Sequence, residues 1–489
     1  MDHLSTAPKS DIIQEFKRLC DTLGPHQAAL TLRAYIHKHC IENADLVVAL
    51  YQEIIDFLDP AERITSTIDL AWFSLHQSRP DYLLHRRSVD LWWQIHGQTW
   101  VEAVKPAPRP RRSRRDGRLR VGFAGGDWSE TNHYTQTVFR PTIEALPRDL
   151  FAVHLYADGL APIDDSIAQM VEVARPAGNL DSAIWDIAAD DLDVLFWPLG
   201  FVAHAPFRMM RARPARRIAL WMHTYSTFGP ELVDASLQDI GLMTPVHEQI
   251  QYEAVIKTNG PAVLFGVSSS APPVTSAPRT RSRGIVFGTF NRASKITFDM
   301  VQAWKKILDS VPGSRLMIAN QSYRYAPLRA HVARLLDAAG IDSDRVELPS
   351  FQASTRDFLD LYSQVDIALD TSPFNGGVST LDALWQGVPV VTLAQPEPNA
   401  CIGQYMLSNV GRSDLVTTNH AEYVARAIAL ANDPADLDAW RRDARERVRT
   451  SPLMAPGDLG ERMARAVEDL LQCQTGPERA QALGGASAR

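Results

Sequence analysis

Cysteine is scarce. The 489 residues hold four, Cys20, Cys40, Cys401 and Cys473, scattered along the chain and never in C-x-x-C spacing. That excludes a disulfide framework and the close-set thiols of zinc ribbons and redox centres, so the cysteines read as reduced thiols. Long apolar runs are also missing. Nothing approaches the roughly 18 residues of a membrane span, and the start, MDHLSTAPKSDIIQEF, is charged and polar where a secretory leader has its apolar stretch. A cytoplasmic protein without a membrane span is the expectation. Positive charge is not in excess, with 50 Lys+Arg against 57 Asp+Glu and a net charge of -7. No global field draws such a chain to nucleic acid or anionic lipid.

What is present is ordinary globular composition, 45% hydrophobic and 22% charged. A chain of this length divides into about three domains. Residues 1–104 repeat apolar positions at helical spacing, as in Ile12, Phe16 and Leu19 and then Leu46, Val48, Tyr51 and Ile55, with breaks at Gly24-Pro25, Asp59-Pro60 and Arg79-Pro80. Four or five amphipathic helices in antiparallel hairpins follow from this. They form a degenerate helical-repeat module without the small-residue and Trp/Tyr positions of a tetratricopeptide repeat. Residues 105–118, KPAPRPRRSRRDGR, read as a basic Pro/Arg linker. The other reading is a local patch for an acidic partner or nucleic acid.

The period then changes. Short apolar runs LRVGF, FAVHLY, DVLFW and IALWM, separated by helix-length segments, place a parallel doubly wound sheet in 119–266. A soft segment, 267–283, leads to a second series over 284–471: IVFGTF, RLMIA, VEL, VDIALD and VPVVTL. The fold class is therefore α/β, two Rossmann-like domains in tandem behind an α-helical module, and 472–489 reads as a frayed tail.

Open parallel sheets bind ligands beyond the carboxyl ends of their strands, so the loops there carry the candidates. In TFNRASKIT, Lys295 follows a strand and opens a helix, where phosphate is already favoured; the alternative is a solvated lysine at a helix start. In LDTSPFNGGVSTLDALW, Gly376 and Gly377 free backbone N–H groups ahead of a helix whose first turn carries Ser379 and Thr380, a nest for phosphate oxygens. Asp382 lies a turn further in, where a carboxylate accepts from ribose hydroxyls or simply serves the helix dipole. In RVGFAGGDWSETNHYTQ, Gly125 and Gly126 lack G-x-G-x-x-G spacing, which argues against a dinucleotide site, while His133 suits a general base, a phosphate contact, or a plain loop histidine.

Six segments in order, from LRVGFAGGDW…NH through GIVFGTFNRASKITFDM and VDIALDTSPFNGGVSTLDALWQGVPVVTL to RERVRTSPLM, resemble the catalytic region of O-linked N-acetylglucosamine transferases and their SPINDLY-like relatives, glycosyltransferase family 41. The resemblance covers roughly Leu119 to Leu471. It implies a GT-B fold, with 119–266 on the acceptor side of a cleft and 284–471 on the nucleotide-sugar side. It also implies an inverting, metal-independent transfer, most simply of N-acetylglucosamine from a UDP-sugar to Ser or Thr hydroxyls of a protein acceptor, with no cofactor. Lys295 falls on the family's phosphate lysine, Ser379 and Thr380 on its phosphate helix, Asp382 on the ribose contact, and Ala353 on a backbone contact to the base. Asn291, Arg292, Gly376 and Gly377 complete the donor side. His133 falls on a histidine serving as base or phosphate contact, given an insertion after Asp127.

The chain departs from the family at Thr137, where a second histidine is common, at Gly377-Val378 in place of a Thr/His-rich stretch, at Arg292 in place of glutamine, and at Thr355 in place of a base-contacting lysine. Another donor nucleotide or a small-molecule acceptor, a homodimer through the N-terminal helices, and a degenerate binding scaffold are the competing expectations.

Overall fold

The structure is a computed structural model that describes residues 9–37, 43–77, 79–97, 104–107, 116–129, 132–157, 163–176, 180–198, 205–221, 226–274 and 284–486. Much of both linkers, 108–115 and 275–283, lies outside the described residues.

Among the described residues, five α-helices build the N-terminal module: α1 (Lys9–Leu23), α2 (Pro25–Tyr35), α3 (Ala44–Ile54), α4 (Pro60–Ser74) and α5 (Tyr82–Trp92). Their starts are chemically marked. Asn43 and Asp81 cap α3 and α5 through their side chains, and Asp59 with Glu62 closes a reciprocal capping box at α4, where Pro60 fills the first helical position. The apolar stripes then face inward, burying Ile12, Phe16, Leu32, Val47, Tyr51 and Ile54 in one cluster.

The first sheet contains β1 (Leu119–Gly126), β2 (Phe151–Ala157), β3 (Val173–Arg175), β4 (Val194–Trp197), β5 (Arg217–Leu220), β6 (Ala235–Asp239) and β7 (Ala254–Thr258), in the order β3-β2-β1-β4-β5-β6-β7. The second contains β8 (Val286–Thr289), β9 (Arg315–Ile318), β10 (Val346–Glu347), β11 (Ile367–Leu369), β12 (Val390–Leu393) and β13 (Val416–Thr417), in the order β10-β9-β8-β11-β12-β13. The strand pairings in both sheets are parallel. Strand order reverses between β1 and β4 in one sheet and between β8 and β11 in the other. The crevice beyond those strand ends is where doubly wound sheets hold ligands.

Two expectations are corrected. The segment after 471 is not a frayed tail: Gly476–Ala486 is helical, its Gly476 N–H donates to Asp234 Oδ1 at 2.7 Å, and Arg479 reaches the Val233 carbonyl at 3.0 Å. These anchors lie some 240 residues upstream, so composition alone gave no sign of them. Nor does the second α/β unit keep all of 284–471 to itself. The helix Leu459–Gln472 returns to the first sheet, where Arg217 donates to the Leu471 and Cys473 carbonyls, both at 2.9 Å.

The module is welded to the first sheet's domain by buried and half-buried polar contacts. His85 takes the Thr227 N–H at 3.1 Å, Trp93 donates to the Phe228 carbonyl at 3.0 Å, and Tyr252 donates to Asp90 at 2.6 Å. It also reaches the second domain, where Asn399 donates to the Leu75 carbonyl at 2.7 Å. No helix among the described residues is long and apolar enough to cross a membrane.

Candidate functional site

Between the two sheets lies a cleft of about 750 Å³, lined from the first domain by His133, Tyr134 and Phe265, from the second by Asn291, Arg292, Lys295, Gly377, Ser379 and Asp382, and from the module by Trp72. A cleft of this size, mostly apolar and with a few converging polar groups, has the make-up of a ligand site.

On the floor, Asp370 follows β11 and organises the turn ahead of the helix Val378–Trp385. Its carboxylate accepts from Thr371 N–H at 2.9 Å, Gly376 N–H at 2.7 Å and Thr392 Oγ1 at 2.8 Å. Burial pushes the Asp370 carboxyl above its usual range, against the pull of these hydrogen bonds and of Lys295. Gly376 is required there: a Cβ would stand 2.5 Å from Ser379 Oγ and 2.7 Å from Thr380 Oγ1. Gly377 is different. A Cβ on it would meet nothing within 4 Å, so the helix N-terminus opens on the cleft, and its first N–H groups have no intrahelical acceptor. Ser379 Oγ donates to Asn291 Oδ1 at 3.1 Å, which ties this turn to the loop after β8.

Lys295 comes from that loop. Its Nζ donates to the Asn375 carbonyl at 2.7 Å and sits 3.9 Å from the centre of the Phe374 ring. Burial, then repulsion from Arg292, holds the ammonium below its ordinary range, with Asp370 pulling the other way. An ammonium and an open helix end beside one another form an anion-binding pair.

Across the cleft, His133 Nε2 meets Asp382 Oδ2 at 2.9 Å, an ion pair joining the two domains with Asp382 almost wholly buried. Burial disfavours the imidazolium, but the hydrogen bond and charge of Asp382 outweigh it and raise the His133 pKa. Since a carboxylate only accepts, the bonded Nε2 carries a proton. Nδ1 is left as the second functional atom, buried and without a partner among the described residues. Thr137, standing where the family's second histidine is common, donates to the His133 carbonyl at 2.8 Å and is fully buried.

The structure therefore brings His133, Asn291, Arg292, Lys295, Gly377, Ser379 and Asp382 to one cleft, with Gly376 and Thr380 shaping the turn beneath. Ala353 is exposed, and its neighbours Thr355 and Phe358 line the cleft instead. Sequence reasoning missed Asp370 as the hub, although its place after a switch-point strand was a signal. It also missed Trp72, for which no local signal existed. Among the described residues, the cluster with metal-ligand geometry is His26, Asp59 and Glu62, on the module's surface, where the two carboxyls already cap α4.

Fold and cleft together define the GT-B class, two Rossmann-like domains facing each other across a ligand crevice. A point variant of the Thermobaculum terrenum O-GlcNAc transferase shares the fold, with a TM-score of 0.75 over 92% of this chain and 89% of that one at 22% identity. The Glycosyl transferase family 41 model matches residues 275–459. A protein described as a probable UDP-N-acetylglucosamine–peptide N-acetylglucosaminyltransferase SPINDLY, from Petunia hybrida, is 32% identical over 267 residues, which is 55% of this chain and 29% of the relative. The UDP-N-acetylglucosamine–peptide N-acetylglucosaminyltransferase of Caenorhabditis elegans is 30% identical over 157 residues, 32% of this chain and 13% of that one. The stretch that matches the family 41 model carries Lys295 and Asp382. The chain spans less than a third of the length of these curated relatives.

Proposed function

We propose that this protein is a glycosyltransferase that moves a sugar, N-acetylglucosamine from a UDP donor, to a Ser or Thr hydroxyl of a protein acceptor, with inversion and without a metal or cofactor. The observation that carries the reading is the meeting of Lys295 and the open N-terminus of Val378–Trp385 with the His133–Asp382 pair in one cleft. The activity for which the relatives are named supports the choice of sugar and of acceptor class.

The lysine and the helix end neutralise the diphosphate as the anomeric bond breaks, the role a divalent cation fills in other transferases. The acceptor hydroxyl attacks the anomeric carbon from the face opposite the leaving group. Asp382 holds the Nε2–H of His133, which leaves Nδ1 as the atom that takes the hydroxyl proton. Asp382 also stands where the ribose is expected, so donor binding and the His133 bond share one carboxylate.

The test is ligand-dependent stability followed by transfer. UDP at a hundredfold its Kd should stabilise the fold by about 2.7 kcal/mol while NAD does not, and intact mass of a co-expressed acceptor protein should rise by one sugar residue. Stabilisation by NAD alone refutes the reading.

A further inference from the structure

The wall that the helical module adds to the cleft carries chemistry of its own. Trp72, near the end of α4, lines the cleft. His76 follows one turn later, with Nδ1 2.8 Å from the Trp72 carbonyl. A carbonyl only accepts, so Nδ1 bears the proton. In the neutral ring Nε2 is then a bare acceptor, buried and without a hydrogen-bond partner among the described residues. The ring centre lies 4.2 Å from that of Trp72 and 4.9 Å from that of Phe374, the same ring that carries the Lys295 ammonium.

We propose that His76 is a positioning residue for Lys295, acting through Phe374: the module's imidazole packs on the phenyl ring that seats the ammonium and keeps water from beneath it. The inference rests on Lys295 being the cation that meets the diphosphate. Lysine has a flexible four-carbon stem and a strongly hydrated head, so a dry aromatic seat sets both where the charge stands and how readily it is lost. The groups facing Lys295 are Arg292 from its own loop, Asp370 from the end of β11, the Asn375 carbonyl, His76 from the module, and the His133–Asp382 pair across the cleft. Burial holds His76 down to about 3, the Trp72 carbonyl working against this and the charges of Arg292 and Lys295 adding to it. Burial thus favours the neutral ring, which supplies packing without a third positive charge.

Trace acetylation of the full chain with acetic anhydride across a pH series, read at Lys295 by mass spectrometry, reports the ammonium's titration without any turnover. In folded His76→Ala, water fills the space left by the ring, and the titration should move up toward the ordinary lysine range by about one pH unit or more. His76→Phe, which keeps a flat ring on Phe374, should bring it back. Donor-hydrolysis kcat should fall roughly tenfold or more in the alanine variant and recover in the phenylalanine one, while donor KM changes little. An unmoved Lys295 titration overturns the proposal, as does an equal loss in both variants. Should His76→Ala not fold, Phe374→Leu removes the linking ring and should shift the titration in the same direction. If the wild type turns over no sugar nucleotide yet the titration moves, the positioning role stands and the glycosyl-transfer reading falls.

Discussion

Replacing Asp382 by asparagine tests the interdomain ion pair, because the change keeps shape while removing one charge. At 2.9 Å and with Asp382 6% and His133 27% exposed, the pair is neither a surface contact nor fully desolvated. Breaking a fully buried pair costs about 3 to 5 kcal/mol and an exposed one under about 1, so roughly 1 to 3 kcal/mol fits this intermediate burial. The sign with pH follows from the raised His133 pKa. The stabilisation is fully present below the ordinary histidine value of about 6.5 and is lost as pH rises through the folded-state pKa. Chemical denaturation at acidic and at alkaline pH should therefore show a large deficit for Asp382→Asn in acid and a small one in alkali.

Kinetics give the second reading of the same variant. A base must be neutral, so kcat/KM for the wild type falls as pH drops through the His133 pKa. With the carboxylate gone only burial remains, and burial depresses the imidazolium. The acid limb should then move to lower pH by about one unit or more. A uniform pH-independent loss of stability together with an unmoved acid limb would show that Asp382 does not hold His133 in the working enzyme.

Lys295→Ala should cost about 2.7 to 4 kcal/mol of transition-state stabilisation, a kcat loss of two orders of magnitude or more in a donor-hydrolysis assay, since it removes the cation seated beside the open helix end. Near-normal turnover would displace the site from this cleft. Deleting residues 1–104 should abolish nucleotide binding together with transfer, because Trp72 lines the cleft and Leu75 is tied to Asn399. Intact UDP binding by calorimetry in that truncation would make the module an acceptor-recruiting appendage.

The strands that could be read from the sequence were those buried on both faces by apolar residues. Phe151–Ala157 and Val390–Leu393 are uninterrupted buried runs, and their spacing from helices gave the doubly wound order. Ala235–Asp239 escaped because its buried positions include Ser236, Gln238 and Asp239. Gln238 donates to Ser236 on the same strand, and Asp239 accepts at 2.5 Å from Tyr405, a partner that the sequence does not place nearby. Val173–Arg175 and Val416–Thr417 are edge strands too short to show a period. The site divides the same way. Lys295 and the Gly376-Gly377 turn are local strand–loop–helix features and so were legible, whereas His76 meets the site only through a fold that closes more than two hundred residues of chain.

The module's attachment is lopsided. Among the described residues it holds the first domain through a set of buried polar contacts around Thr227 and Glu253, and it reaches the second through the Leu75 carbonyl on Asn399, the His76 ring on Phe374 and Tyr82 beside Asn399. Trp72 stands beside the contact with the second domain and lines the cleft. With His76 4.2 Å from its indole, that tryptophan gives the contact between module and second domain an optical signal of its own.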